Sequence, residues 1–126
     1  MQLVRQVTTA EFEEAIQDCS TPILLDVYAV WCGPCQLMAP QLEIAAEHFG
    51  DRLRVFKMDS DEEVEAAEML QVRGLPTLLF INDMSVVSRV EGALMAEDLK
   101  VFCEHHFFGG PAPTIVDDLD AACRPK

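Results

Sequence analysis

The sequence has few basic residues for its length: nine Lys and Arg stand against 22 Asp and Glu in 126 residues. The formal net charge is −13 at pH 7. Nucleic acids and anionic membranes are bound through basic patches, so this chain is expected to bind neither. Hydrophobic residues nonetheless make up 50% of the chain and charged residues 25%, which is the composition of a folded domain.

The sequence also lacks any apolar run near the roughly 20 residues that a membrane-spanning helix needs. Residues 1–5 show no apolar region of a secretory signal peptide, although a removed transit peptide would leave no trace. The length predicts one domain, residues 1–108, and an acidic tail, residues 109–126, led by Gly and Pro. We expect this tail to be flexible, or lightly docked through its three apolar residues Ile115, Val116 and Leu119.

Cysteine occurs five times, an odd number, so one chain cannot pair all of them internally. Cys32 and Cys35 form a C-x-x-C, whereas Cys19, Cys103 and Cys123 are scattered. There is no second C-x-x-C and the histidines lie on other predicted helices, which argues against a zinc site. Because a chain of this length can build a core without disulfides, we expect a reducing compartment and one chemically special pair.

Apolar periodicity predicts the element order βαβαβαββα. The strands are expected at residues 3–7, 23–29, 53–59, 77–81 and 86–90, and the helices at 8–18, from the C-x-x-C to Gly50, 60–70 and 96–107. Capping boxes at Thr8/Glu11 and Ser60/Glu63 would start the first and third helices. A turn at Asn82-Asp83 would join the last two strands as an antiparallel hairpin. Alternating strands and helices indicate a central sheet with helices on both faces.

Several residues are assigned to the core rather than to chemistry. In the second helix the apolar positions recur at helical spacing (Met38, Leu42, Ala45 and Phe49), and Pro40 is expected to kink it. Met69 and Met95 are also interpreted as core filling. Cys103 is favoured as a small core residue over a redox switch, since free cysteine buries readily. Cys19 is expected at an exposed helix end as an inert thiol, and Cys123 is interpreted as inert rather than as a site of intermolecular disulfides.

A cysteine at the start of a helix lies beside unpaired backbone N–H groups and the positive end of the helix dipole. Both favour the thiolate, the form of cysteine that attacks disulfides. Cys32 lies at such a start, after the buried strand 23–29, and Cys35 one turn later is expected to point inward. Gly33 permits a close approach, and Pro34 is tolerated in the first turn. This context favours redox chemistry over a purely structural pair.

Asp26 lies inside the same apolar strand, where an ionised carboxylate is costly unless it has a partner or a function. Burial is expected to raise its pKa, and a carboxyl group that titrates near neutrality can exchange a proton with Cys35. Lys57, on the next predicted strand, is a candidate to balance its charge. A structural, hydrogen-bonded Asp26 is the alternative.

Pro76 follows Gly74 and Leu75 at the entrance of the predicted strand 77–81. One interpretation is an ordinary trans proline at a break, because most X–Pro bonds are trans. The other is a cis bond that removes an N–H and shapes a groove for the backbone of a substrate. The pattern leaves both open.

Together these features resemble the thioredoxin family over residues 7–107. The matching positions are the active-site motif Trp31-Cys32-Gly33-Pro34-Cys35, the buried acid Asp26 with its partner Lys57, the cis-proline loop Arg73-Gly74-Leu75-Pro76-Thr77, and the last substrate-facing loop Gly92-Ala93. The resemblance implies an α/β thioredoxin fold, with a central mixed five-stranded sheet flanked by four helices.

The resemblance also implies a thiol–disulfide oxidoreductase that reduces disulfides in target proteins. Cys32 would be the nucleophile, Cys35 the resolving cysteine and Asp26 the proton-transfer group, with Lys57 as the partner of this acid. No metal is implied, and no cofactor beyond the redox-active disulfide. The substrate-binding surface around Cys32 would comprise Trp31, Leu75, Pro76, Gly92 and Ala93, with Gly33 and Pro34 completing the catalytic motif.

A finer likeness concerns Gln36 and the run Glu91-Gly92-Ala93-Leu94, which resemble the y-type plastid thioredoxins. It implies a monomer in the chloroplast stroma, with the cytoplasm as the alternative. A ferredoxin- or NADPH-dependent thioredoxin reductase would reduce it, and its targets would include peroxiredoxins or methionine sulfoxide reductases. Glu91 departs from many relatives by placing a charge beside the substrate surface. Two other functions stay open, a redox-inert binding subunit or scaffold and an oxidant or isomerase of the secretory pathway.

Overall fold

The structure is a computed structural model that describes residues 3–113. Its strands are β1 (Val4–Gln6), β2 (Ile23–Tyr28), β3 (Arg54–Asp59), β4 (Thr77–Asn82) and β5 (Ser85–Glu91). Its helices are α1 (Thr9–Ile16), α2 (Gly33–Phe49), α3 (Val64–Met69) and α4 (Ala96–Phe108), with a 3₁₀ turn at Gly50–Arg52. The predictions for Cys123 and for the tail beyond Pro113 lie outside the described residues.

The five strands form one sheet in the order β1-β3-β2-β4-β5. β1, β3 and β2 run parallel, whereas β4 is antiparallel to β2 and β5 is antiparallel to β4. The predicted element order and the mixed five-stranded sheet with four helices are confirmed. Because β2 is the central strand, its carboxyl end and the residues after it lie in the middle of one edge of the sheet.

Each face of the sheet carries its own core. On one face Leu24 and Phe80 pack with residues of α2 and α4, including Met38 and Phe102. On the other face the buried strand residues pack with α1 and α3 (Leu25, Val27 and Leu79 with Phe12 and Ala66). The four predicted apolar positions of α2 are all buried, and the helix continues through Pro40. Helices on both faces bury β2, and the residues that follow its end are therefore placed by a strand packed on both sides.

The start of α1 matches its prediction, whereas the start of α3 does not. Thr8 and Glu11 form a capping box, in which the side chain of each accepts a hydrogen bond from the backbone N–H of the other. Ser60 and Glu63 do not, because α3 begins later, at Val64, and no side chain caps it. Glu63 Oε1 instead accepts hydrogen bonds from the N–H and Oγ1 of Thr9, at 2.7 and 2.9 Å. Glu63 is therefore a capping residue, but it caps the start of α1 and not that of α3.

Glu63→Ala is expected to lower the free energy of unfolding by about 1–2 kcal/mol, because it removes the acceptor from the first turn of α1. The midpoint of urea unfolding, followed by circular dichroism, measures this change. Glu62→Ala is the matched control, since Glu62 is exposed beside it. Equal midpoints for the two variants would contradict the assignment of Glu63 as the cap of α1.

Two of the methionine assignments and the turn position were wrong. Met69 and Met95 are 59% and 46% exposed. The short helix α3 buries only Ala66, and Met95 is the extended residue that precedes α4, so neither has a core to enter. The hairpin turn consists of Asp83 and Met84, one residue later than predicted, with φ angles of 51° and 64°. Two consecutive left-handed residues match the right-handed twist of the flanking strands.

Within residues 3–113, no helix combines the length and the apolarity required to cross a membrane. The same residues contain no group of three or more His, Cys, Asp or Glu side chains placed to hold a metal ion.

Candidate active site

The C-x-x-C lies at the junction between the end of β2 and the start of α2. Cys32 is the N-cap residue of α2, and its Sγ accepts a hydrogen bond from the Cys35 N–H at 3.3 Å. The two cysteines form a disulfide with their Cα atoms 5.3 Å apart, an ordinary separation for a disulfide. The predicted pair is thus assembled at the amino end of a helix, directly after the central strand.

The disulfide is largely covered by its neighbours. Cys32 and Cys35 are each 6% exposed. They cluster with Ala29, and Tyr28 and Leu75 pack against this cluster. The first backbone N–H groups of α2 and the positive end of its dipole lie beside Cys32. After reduction this environment favours a thiolate at Cys32 over the neutral thiol.

Asp26 lies within β2 and is 3% exposed. Its Oδ1 finds no hydrogen-bond partner within residues 3–113. Burial raises the pKa of this carboxyl group to about 7, and the charge of Lys57 acts in the opposite direction. The expected rise is therefore present, and the unpaired oxygen disfavours the alternative of a fully hydrogen-bonded structural acid.

Asp26 and Cys35 line one cavity of about 250 Å³. Lys57 also lines it, from β3, where it is the register partner of Asp26. The ion pairs within residues 3–113 lie elsewhere, so Lys57 acts on Asp26 through its electric field and not through direct contact. A space of this size holds several water molecules. The cavity thus places the Asp26 carboxyl group and Cys35 around one shared space.

The loop that contains Leu75 and Pro76 borders the disulfide, and the segment that begins at Gly92 is hydrogen-bonded to this loop. The Leu75–Pro76 bond is cis, one of the two predicted alternatives. Thr77 Oγ1 donates a hydrogen bond to the Gly74 carbonyl at 2.6 Å. The Gly92 N–H donates to the Pro76 carbonyl at 2.8 Å, and the φ of 118° at Gly92 favours glycine. The two predicted substrate-facing segments are thus held together as one unit.

The other predicted site residues differ in exposure. Trp31 is 69% exposed, and its Nε1–H donates a hydrogen bond to Asp61 Oδ2 at 2.8 Å. Gly33 and Pro34 are exposed, and a Cβ added at Gly33 would meet nothing within 4 Å. Ala93 is half-buried against the core under α2 and α4. An exposed tryptophan held in place beside a disulfide is a surface suited to contact with another protein.

Sequence reasoning missed two residues that support this surface. Asp61 holds Trp31, and Met38 Sδ accepts a hydrogen bond from the Leu94 N–H at 3.3 Å. The second contact ties α2 to the segment after β5. Both contacts join positions far apart in the chain, so no spacing rule points to them. The one available signal was the place of Met38 on the buried face of α2.

The remaining described cysteines are Cys103 and Cys19. Cys103 is 0% exposed on α4, and burial raises the pKa of its thiol to about 12. Its predicted place in the core is confirmed. Cys19 is exposed after α1, as predicted.

Iodoacetamide added to the oxidised native protein at pH 8 is expected to label Cys19 and to leave Cys103 unmodified, because a buried neutral thiol neither ionises nor meets the reagent. Peptide mass mapping measures both sites in one digest. Labelling in guanidinium is the control, since both thiols should then react. Equal labelling rates in the native protein would contradict the burial of Cys103.

A protein-family model described as Thioredoxin matches residues 3–105. Thioredoxin Y, chloroplastic, of Oryza sativa subsp. japonica is 37% identical over 95 residues, which cover 75% of this chain and 56% of that protein. Thioredoxin of Haemophilus influenzae is 37% identical over 106 residues, covering 84% and 99%. Thioredoxin-like protein CITRX, chloroplastic, of Solanum tuberosum is 44% identical over 101 residues, covering 78% and 58%. The chain thus spans little more than half of the plastid relatives and nearly all of the bacterial one.

One of the relatives is a y-type thioredoxin, as the finer resemblance predicts, but relatives of other types match this chain as well. Identity to the potato CITRX protein, 44%, is higher than to the rice Thioredoxin Y, 37%. A bacterial thioredoxin matches over more of this chain than either. The comparisons therefore establish the family and place chloroplastic and bacterial members side by side among the relatives.

The model match over most of the chain agrees with the mixed sheet, the cis-proline loop and the disulfide at the start of α2. The Haemophilus influenzae thioredoxin, matched over 99% of its length, is 37% identical to this chain. The chain belongs to the thioredoxin family.

Proposed function

We propose that this chain reduces disulfides in other proteins by cycling Cys32 and Cys35 between a dithiol and a disulfide. The observation that carries the proposal is a disulfide at the amino end of α2 whose inner cysteine shares a cavity with the buried Asp26. The cycle needs no cofactor other than this disulfide. It transfers two electrons and two protons from the reduced pair to the target.

In the first step the Cys32 thiolate attacks one sulfur of the target disulfide. A bond forms between Cys32 and that sulfur, the target S–S bond breaks, and the second target sulfur leaves as a thiolate that takes up a proton. The start of α2 supports Cys32 as the attacking residue, because N–H groups and the helix dipole stabilise its negative sulfur. Cys35 lies one turn further inside the helix, where it is poised for the second step.

In the second step Cys35 loses its proton and attacks Cys32. The bond between Cys32 and the first target sulfur breaks, that sulfur leaves as a thiolate and takes up a proton, and the intramolecular disulfide closes. Asp26 is the proposed proton acceptor, since its pKa of about 7 leaves it partly ionised at neutral pH and a common cavity connects it to Cys35. Lys57 adjusts the ionisation of Asp26 from the neighbouring strand.

The target is proposed to bind over the exposed Trp31 and the loops joined by the Gly92–Pro76 hydrogen bond. Leu75 packs directly against the cysteine cluster, so a segment bound beside it reaches the disulfide. Ala93 and Gly92 would form the far side of this surface, and the exposed Gly33 and Pro34 would border it beside Cys32.

Reduction of insulin by dithiothreitol, followed as turbidity from the precipitating B chain, tests the proposal. The wild-type protein is expected to accelerate precipitation over the reductant alone. The variant with both Cys32→Ser and Cys35→Ser is the control and should give the uncatalysed rate. An uncatalysed rate for the wild type would overturn the proposal and favour the redox-inert binding subunit.

We further propose that the protein works in the chloroplast stroma with a ferredoxin- or NADPH-dependent thioredoxin reductase. The support is that several relatives are named chloroplastic, whereas the equally similar bacterial thioredoxins keep the cytoplasm as the alternative. Peroxiredoxins and methionine sulfoxide reductases are the proposed targets. Parallel assays with the two kinds of reductase, each supplying electrons to the same target, separate these possibilities.

A further inference from the structure

Glu91 is the last residue of β5 and points its carboxylate toward the proline loop. It pairs in register with Thr77, the residue directly after the cis proline. A Cβ added at Gly74 would lie 3.8 Å from Glu91 Oε2. Gly74 is two residues from Pro76, and between them Leu75 packs against the cysteine pair. The negative charge therefore lies over the loop that borders the disulfide.

The geometry around Glu91 is fixed on both sides. The next residue, Gly92, is bonded to the Pro76 carbonyl at 2.8 Å, and the Gly74 carbonyl accepts the Thr77 hydroxyl at 2.6 Å. The backbone that carries Glu91 is thus anchored to the same framework that presents the disulfide. Glu91 is therefore carried by a strand end and not by a free loop.

The charge of Glu91 is not neutralised by the described part of the chain. The ion pairs within residues 3–113 do not include it. Arg89, two residues earlier on the same strand face, donates instead to the carbonyls of Gln71 and Leu70. Arg73, the exposed cation beside Gly74, makes no ion pair with it either. An exposed carboxylate without a cation can accept one from a bound partner.

The geometry points to Glu91 as a specificity-determining residue that favours target disulfides with a Lys or Arg close to the attacked cysteine. A bound target segment that reaches Cys32 past Leu75 brings its neighbouring side chains over Gly74 and within reach of this carboxylate. A basic side chain there gains an ion pair, whereas an acidic one is repelled. The inference rests on the proposed function, since it names the targets of the same disulfide.

Two synthetic peptides with one intramolecular disulfide each, identical except for Lys or Glu beside the attacked cysteine, test the inference. The measurement is the ratio of their kcat/KM values with dithiothreitol as the reductant. Wild type is expected to favour the Lys peptide, and Glu91→Gln to lower the ratio about threefold, the scale of one exposed ion pair. Glu91→Lys should lower it about tenfold, through the loss of one attraction and the gain of a repulsion. In 1 M salt the preference should largely vanish.

Glu47→Gln and Glu47→Lys are the matched controls, because they make the same changes in net charge on the exposed face of α2. Glu47 lies twelve residues beyond Cys35 in this helix, about 18 Å along its axis, which exceeds the screening length at physiological salt. These variants should keep the wild-type ratio. A ratio that is unchanged in both Glu91 variants, or equally changed in the Glu47 variants, would overturn the inference. The proposed function would still hold in that case, provided that the wild type reduces both peptides. Reduction of neither peptide by the wild type would overturn both.

Discussion

Cys32→Ser is expected to abolish catalysed insulin reduction, a loss of at least about a thousandfold in turnover. Serine keeps the size of the side chain, but its hydroxyl does not ionise near neutral pH and cannot form a mixed disulfide. Cys35 cannot replace it, because it lies inside the first turn of α2 while Cys32 holds the N-cap position. Turnover with dithiothreitol, measured with matched protein concentrations, gives the ratio.

Cys35→Ser is expected to lose turnover to a similar extent, but for a different reason. The first attack by Cys32 remains possible, so the protein should accumulate as a mixed disulfide with its target. Cys19→Ser is the matched control, since Cys19 is exposed and outside the cysteine cluster. Its turnover should equal that of the wild type. Retention of wild-type turnover by Cys32→Ser would show that another residue attacks the target.

Asp26→Asn is expected to raise the free energy of unfolding at pH 8 by about 2–4 kcal/mol. The carboxyl group titrates at about 7 in the folded protein against an ordinary 3.8, a shift of about three pKa units. Each unit corresponds to about 1.4 kcal/mol, and the amide keeps some cost of burial, which places the gain somewhat below the full sum. Urea unfolding of the oxidised protein at several pH values measures it.

The pH dependence has a definite sign. Below about pH 4 the carboxyl group is protonated in both states, so Asp26 does not reduce stability there. Between about pH 4 and pH 7 the unfolded chain ionises while the folded one stays protonated, and stability falls as pH rises. Above the folded pKa the loss is complete. The difference between Asp26→Asn and wild type should therefore be near zero at pH 4 and largest at pH 8.

The same variant separates the catalytic role from burial. Asn cannot accept a proton from Cys35, so turnover at pH 7 should fall about 10–100-fold while stability rises. Asp51→Asn, at an exposed position, is the matched control and should change neither quantity. A lower stability for Asp26→Asn at pH 8, or unchanged turnover, would contradict the account of Asp26 as a destabilising buried proton acceptor.

Much of the fold could be predicted because its signals are local. The apolar run of β2, the capping box at Thr8 and the helical spacing in α2 each determine an element from neighbouring residues. The start of α3 could not be placed correctly, because Glu63 serves Thr9, a residue distant in sequence. A cap that acts across two elements has the same local pattern as one that acts within its own helix.

The site divides in the same way. The C-x-x-C stands out in the sequence as a pair of cysteines at a short fixed spacing, and Asp26 stands out as a charged residue inside an apolar strand. The cis state of Pro76 remained one of two alternatives, since the local sequence does not decide between them. The support of Trp31 by Asp61, and of Leu94 by Met38, arises only when the folded chain brings distant residues together.

The most direct test of the central claim is to trap the mixed disulfide. Reduced Cys35→Ser protein is mixed with a peptide that contains one disulfide, quenched with acid, digested without reductant and mapped by mass spectrometry. The account predicts a peptide adduct on Cys32. An adduct on Cys19 or Cys103, or no adduct while the wild type reduces the same peptide, would contradict it.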